Sequence, residues 1–130
     1  MVIDTSALIA VLLGEKETQR MAKAIVGDHV RLISSFSYLE ASIVIEAKKG
    51  EAGSRELDLL LHKINAEIVG FDPDQAEIAK RAWREYGRGN HPAALNIGDC
   101  CTYALCKTAN QPLLFKGNDF SKTDLLLVAY

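Results

Sequence analysis

The chain has 130 residues, 48% apolar and 25% charged, which fits one ordinary globular domain and excludes a largely disordered chain. Its longest apolar runs, residues 7–13 and 125–130, are far shorter than the roughly 20 residues that a membrane helix requires. The net charge of −2 identifies no class of partner, and no basic segment precedes Asp4 as a signal peptide would require. We therefore expect one folded domain over residues 1–130, located in the cytoplasm and without a membrane partner.

Short β-rich segments alternate with helical segments along the chain. Strands are predicted for residues 2–4, 30–34, 67–71, 113–116 and 125–129. Helices are predicted for residues 6–13, 17–26, 37–49, 54–65, 73–86 and 97–108, where apolar residues recur at helical spacing. Gly50 is expected to end the third helix, and Pro73 to begin the fifth, because a proline in the first turn loses no hydrogen bond.

This alternation predicts the fold class. Parallel strands need crossover connections, and strands covered on both faces are continuously apolar. We therefore expect an α/β fold of three layers, α/β/α, around a mainly parallel sheet of about five strands. In such sheets ligands bind beyond the carboxyl ends of the strands, near the point where the strand order reverses.

Four acids stand where an apolar stretch is followed by a helix or a turn, namely Asp4, Glu40, Asp99 and Asp119. In an alternating α/β chain such positions gather along one edge of the sheet, so these carboxylates can meet. Like charges a few ångströms apart repel each other unless a divalent cation or shared protons relieve them. No basic residue adjoins them in a way that suggests simple ion pairs. The pattern therefore predicts a metal site.

Helix capping is the alternative for each of these acids. Residues 37–40 fit a capping box, residues 96–99 resemble one, and Asp4 or Asp119 could cap the segment that follows. Capping explains a single acid well, but it does not require all four to lie on one edge. The two roles are also compatible. Oxygen ligands without Cys or His favour Mg²⁺ or Mn²⁺, and magnesium usually binds only one or two carboxylates directly and the others through water.

The remaining charges favour a polyanionic substrate. Setting aside the four acids leaves 17 − 4 = 13 Asp and Glu against 15 Lys and Arg, so the rest of the surface is slightly positive. The polar loop at residues 86–92 contains Arg88 and His91, which are candidates for contact with substrate phosphate; an ordinary surface connection is the alternative. Trp83 on the preceding helix is expected in the core rather than as a platform for base stacking.

The cysteines do not indicate a further site. The three cysteines are Cys100, Cys101 and Cys106, and all of them lie in one predicted helix. An odd number at this spacing suits neither a disulfide framework nor zinc ligation. We expect them to be small buried hydrophobic side chains. A reactive thiol is the alternative, but no histidine lies close in sequence to activate one.

Several segments together resemble the PIN-domain ribonucleases of the VapC toxin type. They are VIDTSAL at residues 2–8, Glu40 in the third helix, LNIGDC at residues 95–100, and LLFKGNDF at residues 113–120 followed by Thr123 and Asp124. The resemblance spans essentially the whole chain and keeps the order and spacing of all four acids.

This resemblance implies an Mg²⁺-dependent endoribonuclease, with Mn²⁺ as a substitute, that is the toxic component of a toxin–antitoxin pair. Such proteins are usually homodimers that a small antitoxin protein holds inactive. The family's catalytic acids correspond to Asp4, Glu40, Asp99 and Asp119, with Asp4 and Asp99 as the principal metal ligands. Thr5 and Ser6 lie where relatives support the first aspartate, and Asn96 stands where some nucleases of this fold carry a further acid.

Other classes fit the sequence less well. A haloacid-dehalogenase-like phosphatase needs a second aspartate two residues after the first, where this chain has Ser6. A response-regulator receiver needs a phosphoacceptor aspartate after a central strand, whereas Asp58 lies inside a predicted helix. A nuclease-like domain that binds RNA or a protein without cleaving RNA remains the main alternative.

Overall fold

The first strand lies inside a parallel sheet and ends at the residue before Asp4. The computed structural model describes residues 1–130 and contains four strands: β1 Val2–Ile3, β2 Leu32–Ser34, β3 Glu67–Val69 and β4 Leu113–Leu114. Their order is β3-β2-β1-β4, and every neighbouring pair is parallel. The strand order therefore reverses at β1, because the chain goes to one side of it for β2 and β3 and to the other side for β4.

Helices cover both faces of this sheet. They are α1 Thr5–Leu12, α2 Thr18–Val26, α3 Ser35–Lys63, α4 Pro73–Tyr86 and α5 Ile97–Ala109, with a short 3₁₀ turn at Asp119–Lys122. Side chains alternate across the sheet: Val2 and Leu113 pack into a core with α4 and α5, whereas Ile3 and Leu114 pack into a second core with α1, α2 and α3. The predicted three-layer α/β/α fold with a mainly parallel sheet is confirmed.

The sheet has four strands rather than the predicted five. Residues 125–129 form only an isolated parallel bridge between Leu127 and Leu113. Leu113 donates its N–H to the carbonyl of Leu126 at 2.9 Å and accepts the N–H of Val128 at 2.8 Å. Because both bonds involve Leu113 alone, the last segment pairs with a single residue and does not form a strand.

Gly50 interrupts α3 as predicted, although no loop follows it. Its φ of 66° and ψ of −160° lie outside the helical range, so two helical segments meet at a kink. The start of α3 differs from the prediction. Ser34 caps it by accepting the N–H of Phe36 at 3.3 Å, so the expected capping box from Ser37 to Glu40 is wrong. Helix α3 begins before Ser37, which frees that hydroxyl to point into the interior.

Two further expectations concern burial. All three cysteines on α5 are 2–3% exposed, which confirms that they are small buried side chains. Trp83 is 44% exposed, so its prediction as a core residue is wrong. Tyr86 and Ala82 occupy the buried face of α4, and Trp83 falls between them on the outer face. None of the helices has the length and apolar character needed to cross a lipid bilayer.

Candidate active site

The four acids line one cavity of about 280 Å³ at the carboxyl ends of the strands. Asp4 follows β1, Glu40 lies on α3 after β2, Asp119 follows β4, and Asp99 lies in the first turn of α5. The cavity therefore opens where the strand order reverses, which is where open α/β sheets bind ligands. The structure brings all four predicted site acids together.

Asp4 is held by both of its carboxylate oxygens. It is 5% exposed and caps α1, with Oδ2 accepting the N–H of Ser6 at 3.0 Å. Its Oδ1 accepts the hydroxyl of Thr102 at 2.8 Å, and that hydroxyl lies 3.2 Å from the hydroxyl of Ser37. Capping and site formation thus coincide at this residue, because the same carboxylate that ends β1 faces the cavity.

Sequence reasoning missed Thr102. Its side chain is fully buried and is the direct partner of Asp4 although the two residues are 98 positions apart. One signal was present in the sequence: Thr102 lies three residues after Asp99, so the two share a face of α5. Because Asp99 was predicted to face the other acids, a hydroxyl on the same face of α5 could be expected to donate a hydrogen bond to one of them.

Asp99 forms the capping box predicted for residues 96–99. Its N–H donates to Asn96 Oδ1 at 2.8 Å, and its Oδ2 accepts the N–H of Asn96 at 3.0 Å. The exchange fixes the start of α5 and places the carboxylate of Asp99 at the cavity wall. Asn96 lines the same cavity, so its side chain contributes both a cap and part of the site.

The carboxylate of Glu40 packs against Gly98, where any side chain larger than that of glycine would displace it. A Cβ added to Gly98 would lie 2.8 Å from Oε2 and 3.0 Å from Oε1 of Glu40. The carboxylate thus lies on the bare backbone of the first turn of α5, one residue before Asp99. The sequence prediction did not identify Gly98, because a glycine inside a helix reveals a close approach only when its neighbour is known.

Asp119 stands on the short 3₁₀ turn and is exposed at the cavity rim. The turn is anchored by Phe120, which is 1% exposed and meets Phe115 edge to face with ring centroids 5.2 Å apart. Thr123 closes the turn by donating its hydroxyl to the carbonyl of Phe120 at 2.7 Å. These contacts hold the backbone of a loop whose acid points to the cavity.

The two supporting hydroxyls contact the framework around Asp4. Thr5 donates to the carbonyl of Ser37 at 3.4 Å, and Ser6 accepts the backbone N–H of Lys116 at 2.9 Å. Both residues line the cavity. They connect the start of α1 to α3 on one side and to the end of β4 on the other.

The structure does not bring Arg88 and His91 into this cavity. Arg88 is exposed on the loop between α4 and α5. His91 accepts the N–H of Ala93 at its Nδ1 at 3.0 Å, and its ring packs edge to face on Tyr86 at 5.2 Å between centroids. These contacts give His91 a local role in shaping the loop, while its contact with substrate stays a prediction.

Burial, and to a smaller extent the neighbouring carboxylates, act on the carboxyl of Asp99. Partial burial raises the pKa of its carboxyl to about 7, the N–H of Asn96 opposes this rise, and the negative charges of Asp4, Asp119 and Glu40 add to it. No three Asp, Glu, His or Cys side chains stand close enough to ligate one ion directly. The acids are thus near enough to influence one another but are spaced around a polar cavity.

The raised pKa of Asp99 predicts a pH-dependent stability of the metal-free protein. Between pH 4 and pH 7 the folded state holds a proton at Asp99 that the unfolded chain releases, so this contribution to stability is present at low pH and is lost as pH rises through about 7. Asp99→Asn removes it. We expect the free energy of unfolding of this variant, relative to the wild type, to be greater at pH 8 than at pH 4 by about 1–2 kcal/mol, allowing for solvent screening.

Urea unfolding in EDTA at the two pH values measures this difference. Glu46→Gln on α3 is a suitable control, because Glu46 is exposed and lies away from the cavity lining. The same pH trend in both variants would contradict the assignment to Asp99.

Comparison with known proteins agrees with this geometry. The PIN-domain family model matches residues 1–126. The chain therefore belongs to the PIN-domain family. Ribonuclease VapC30 of Mycobacterium tuberculosis is 54% identical over 129 residues, covering 99% of this chain and 98% of that protein. Ribonuclease VapC of Mycolicibacterium smegmatis is 52% identical over 128 residues, covering 98% and 99%. Within the PIN-domain family the chain thus groups with the VapC proteins, which confirms the resemblance seen in the sequence.

Solved structures share the fold at much lower identity. The structure of Mycobacterium tuberculosis VapC20, described as a toxin that cleaves the sarcin–ricin loop, has a TM-score of 0.80 at 13% identity and covers 98% of this chain and 97% of its own. A toxin–antitoxin complex from Klebsiella pneumoniae has a TM-score of 0.77 at 19% identity, with coverages of 99% and 97%. The arrangement of layers and strands is therefore common to distant members of the family.

Proposed function

We propose that this protein is a divalent-metal-dependent endoribonuclease that hydrolyses RNA phosphodiester bonds, with Mg²⁺ as the working ion and Mn²⁺ as a substitute. One observation carries the proposal: four acids from separate parts of the chain line one cavity at the reversal of strand order. The names of the VapC relatives, which are ribonucleases at 52–54% identity, support RNA as the substrate.

The donors in the cavity fit a hard cation. They are carboxylate, amide and hydroxyl oxygens, and no thiol or imidazole lines the cavity. Because no three acids are close enough to bind one ion together, the arrangement suits an ion that keeps part of its water shell. Asp4 and Asp99 would hold the ion directly, and Glu40 and Asp119 through water. When bound, such an ion polarises the phosphate and lowers the pKa of a bound water.

The side chains of this chain perform the remaining tasks. Thr102 and the N–H of Ser6 donate to the two oxygens of Asp4, which fixes the direction of that carboxylate. Asn96 fixes Asp99 through the capping box. Either Glu40 on α3 or Asp119 on the 3₁₀ turn orients the water whose oxygen attacks phosphorus as the P–O bond to the leaving oxygen breaks. Arg88 and His91 lie outside the cavity, and we propose that they contact RNA beyond the bond that is cut.

We also propose that the chain acts as a single nuclease domain and as the toxin of a type II toxin–antitoxin module in the cytoplasm. The solved structures that share this fold include a toxin–antitoxin complex, which supports the toxin role. The three cysteines are free and buried, which supports a location in the cytoplasm, where thiols stay reduced. An apolar groove with Phe36, Phe71, Trp83 and Ile97 in its wall lies next to α5. Large exposed apolar surfaces mark sites of association. This groove supports the expectation of a homodimer and of a small antitoxin protein as partners.

Incubation with total RNA tests the proposed activity. Purified protein, freed of any antitoxin by unfolding and refolding, should produce fragments in Mg²⁺, fewer or none in EDTA, and fragments again when Mn²⁺ is added. Retention of RNA on the protein without fragments in any metal would instead support the alternative of a binding domain without cleavage activity.

A further inference from the structure

Lys116 is the only basic residue that lines the acidic cavity. It lies two residues beyond β4, where its backbone N–H donates to the hydroxyl of Ser6 at 2.9 Å. A lysine beside four carboxylates would ordinarily fold into them and neutralise part of their charge. Its ammonium group does not, because it is paired elsewhere.

Two other acids hold this ammonium group at the rim. Its Nζ contacts Oε2 of Glu15 and lies 3.6 Å from Oε2 of Glu17. Glu17 is 8% exposed, and its Oε2 has no hydrogen-bond partner. Two ammonium groups compensate its charge, that of Lys116 at 3.6 Å from Oε2 and that of Lys16 at 3.9 Å from Oε1. Moving the ammonium of Lys116 away would leave this buried carboxylate with only the more distant and 87% exposed side chain of Lys16 as a partner, which is unfavourable. Lys116 is thus a cation held in a defined place.

The turn that carries these two acids is itself well anchored. Gly14 has a φ of 62°, which permits the sharp change of direction after α1. Glu15 donates its N–H to the carbonyl of Ala10 at 3.0 Å, and Thr18 donates its hydroxyl to the same carbonyl at 3.0 Å. Glu15 and Glu17, the acids that contact Lys116, therefore lie on a connection between α1 and α2 that hydrogen bonds hold in place.

The ammonium group keeps capacity for one more partner. It has three N–H donors, of which Glu15 and Glu17 can engage two, and the side chain is 38% exposed. A phosphate that approaches an acidic cavity is repelled by the carboxylates, and a cation at the rim offsets this repulsion. Lysine binds phosphate well as a point charge.

We propose that Lys116 binds a non-bridging oxygen of an RNA phosphate next to the bond that is cut, and so positions the strand across the cavity. This inference rests on the proposed ribonuclease function. The contact is to the backbone and not to a base, so it should strengthen binding to all RNA sequences alike.

Binding of RNA to a cleavage-deficient protein tests the contact directly. In an Asp4→Asn background, Lys116→Met should weaken the affinity for a fluorescent single-stranded RNA by about 5–10-fold at low salt, equally for two unrelated sequences. The dependence of log affinity on log salt concentration should become shallower by about 0.7, the value for one lost phosphate contact on a single strand. Lys116→Arg should retain most of the affinity.

Lys122→Met is the matched control, since Lys122 is an exposed lysine on the nearby 3₁₀ turn that does not line the cavity. Equal affinity and equal salt dependence for Lys116→Met and Lys122→Met would overturn the proposal. In proteins with Asp4 intact, Lys116→Met should raise KM more than it lowers kcat.

A second variant separates binding from folding. Lys116→Met removes the nearer of the two ammonium groups that compensate the buried charge of Glu17 and is expected to lower Tm, whereas Lys116→Met with Glu17→Gln removes that charge as well. The double variant should regain thermal stability and still bind RNA weakly; recovery of RNA affinity with stability would overturn the proposal. Absence of cleavage by the wild-type protein would count against the proposed function alone, because the binding assay requires no cleavage.

Discussion

Asp4→Asn should reduce the rate of RNA cleavage at least about 100-fold while the protein remains folded. Removal of residues that merely orient metal ligands typically costs 10–100-fold, so loss of a ligand should cost no less. The fold should survive because asparagine is as good an N-cap as aspartate, and its carbonyl can accept the N–H of Ser6. Its amide nitrogen can donate to the hydroxyl of Thr102, which then donates to the hydroxyl of Ser37 instead. We expect the free energy of unfolding to change by no more than about 1 kcal/mol.

Asp72→Asn provides a closely matched control. Asp72 also caps a helix, with Oδ1 accepting the N–H of Gln75 at 2.8 Å, but it lies at the start of α4 and does not line the cavity. The two variants should have similar Tm values and very different initial rates of cleavage. Comparable rates for the two would remove Asp4 from the chemistry and leave it only a capping role.

Gly98→Ala should lower cleavage by about 10–100-fold without destabilising the fold. The new methyl group would lie 2.8 Å from Oε2 of Glu40, and the end of that flexible side chain can move away at little cost. Alanine is also the better helix former by about 1 kcal/mol. The variant therefore displaces a carboxylate that we propose holds the ion through water, and the loss of such a group typically costs 10–100-fold in activity.

Two comparisons make this result interpretable. Gly70→Ala adds the same methyl group where nothing lies within 4 Å, and it should cleave RNA at the wild-type rate. Glu40→Gln should lose activity to a similar extent as Gly98→Ala, and combining the two should add little, because both act on one carboxylate. Full activity of Gly98→Ala would mean that the position of Glu40 does not matter for catalysis.

The fold class and the meeting of the acids could be predicted from local signals. Each acid follows an apolar segment, and in a parallel α/β chain the ends of such segments lie on one edge. Asp4 and Asp119 are 115 positions apart, yet a topological rule is enough to bring them together. The capping box of Asn96 and Asp99 was equally accessible, because it depends on residues three apart.

The missed features depend on contacts between distant segments. Thr102 and Gly98 acquire their roles from Asp4 and Glu40, which no periodicity links to α5. The exposure of Trp83 is set by which face of α4 packs against α5 and the core. The prediction of a fifth strand was wrong because residues 125–129 pair with β4 through Leu113 alone. The apolar pattern of residues 125–129 does not reveal how many residues of β4 they can pair with. Local sequence specifies elements well and partners poorly.

The brevity of β1 has a consequence for how such proteins can change in evolution. Its two side chains enter opposite cores, and the residue that follows them is Asp4, whose carboxylate lines the acidic cavity. Tight packing transmits small displacements instead of absorbing them. A substitution deep in either hydrophobic core would therefore move β1 and, through it, the carboxylate of Asp4. Substitutions in the two cores and in the acidic cavity are thus expected to accumulate together rather than independently.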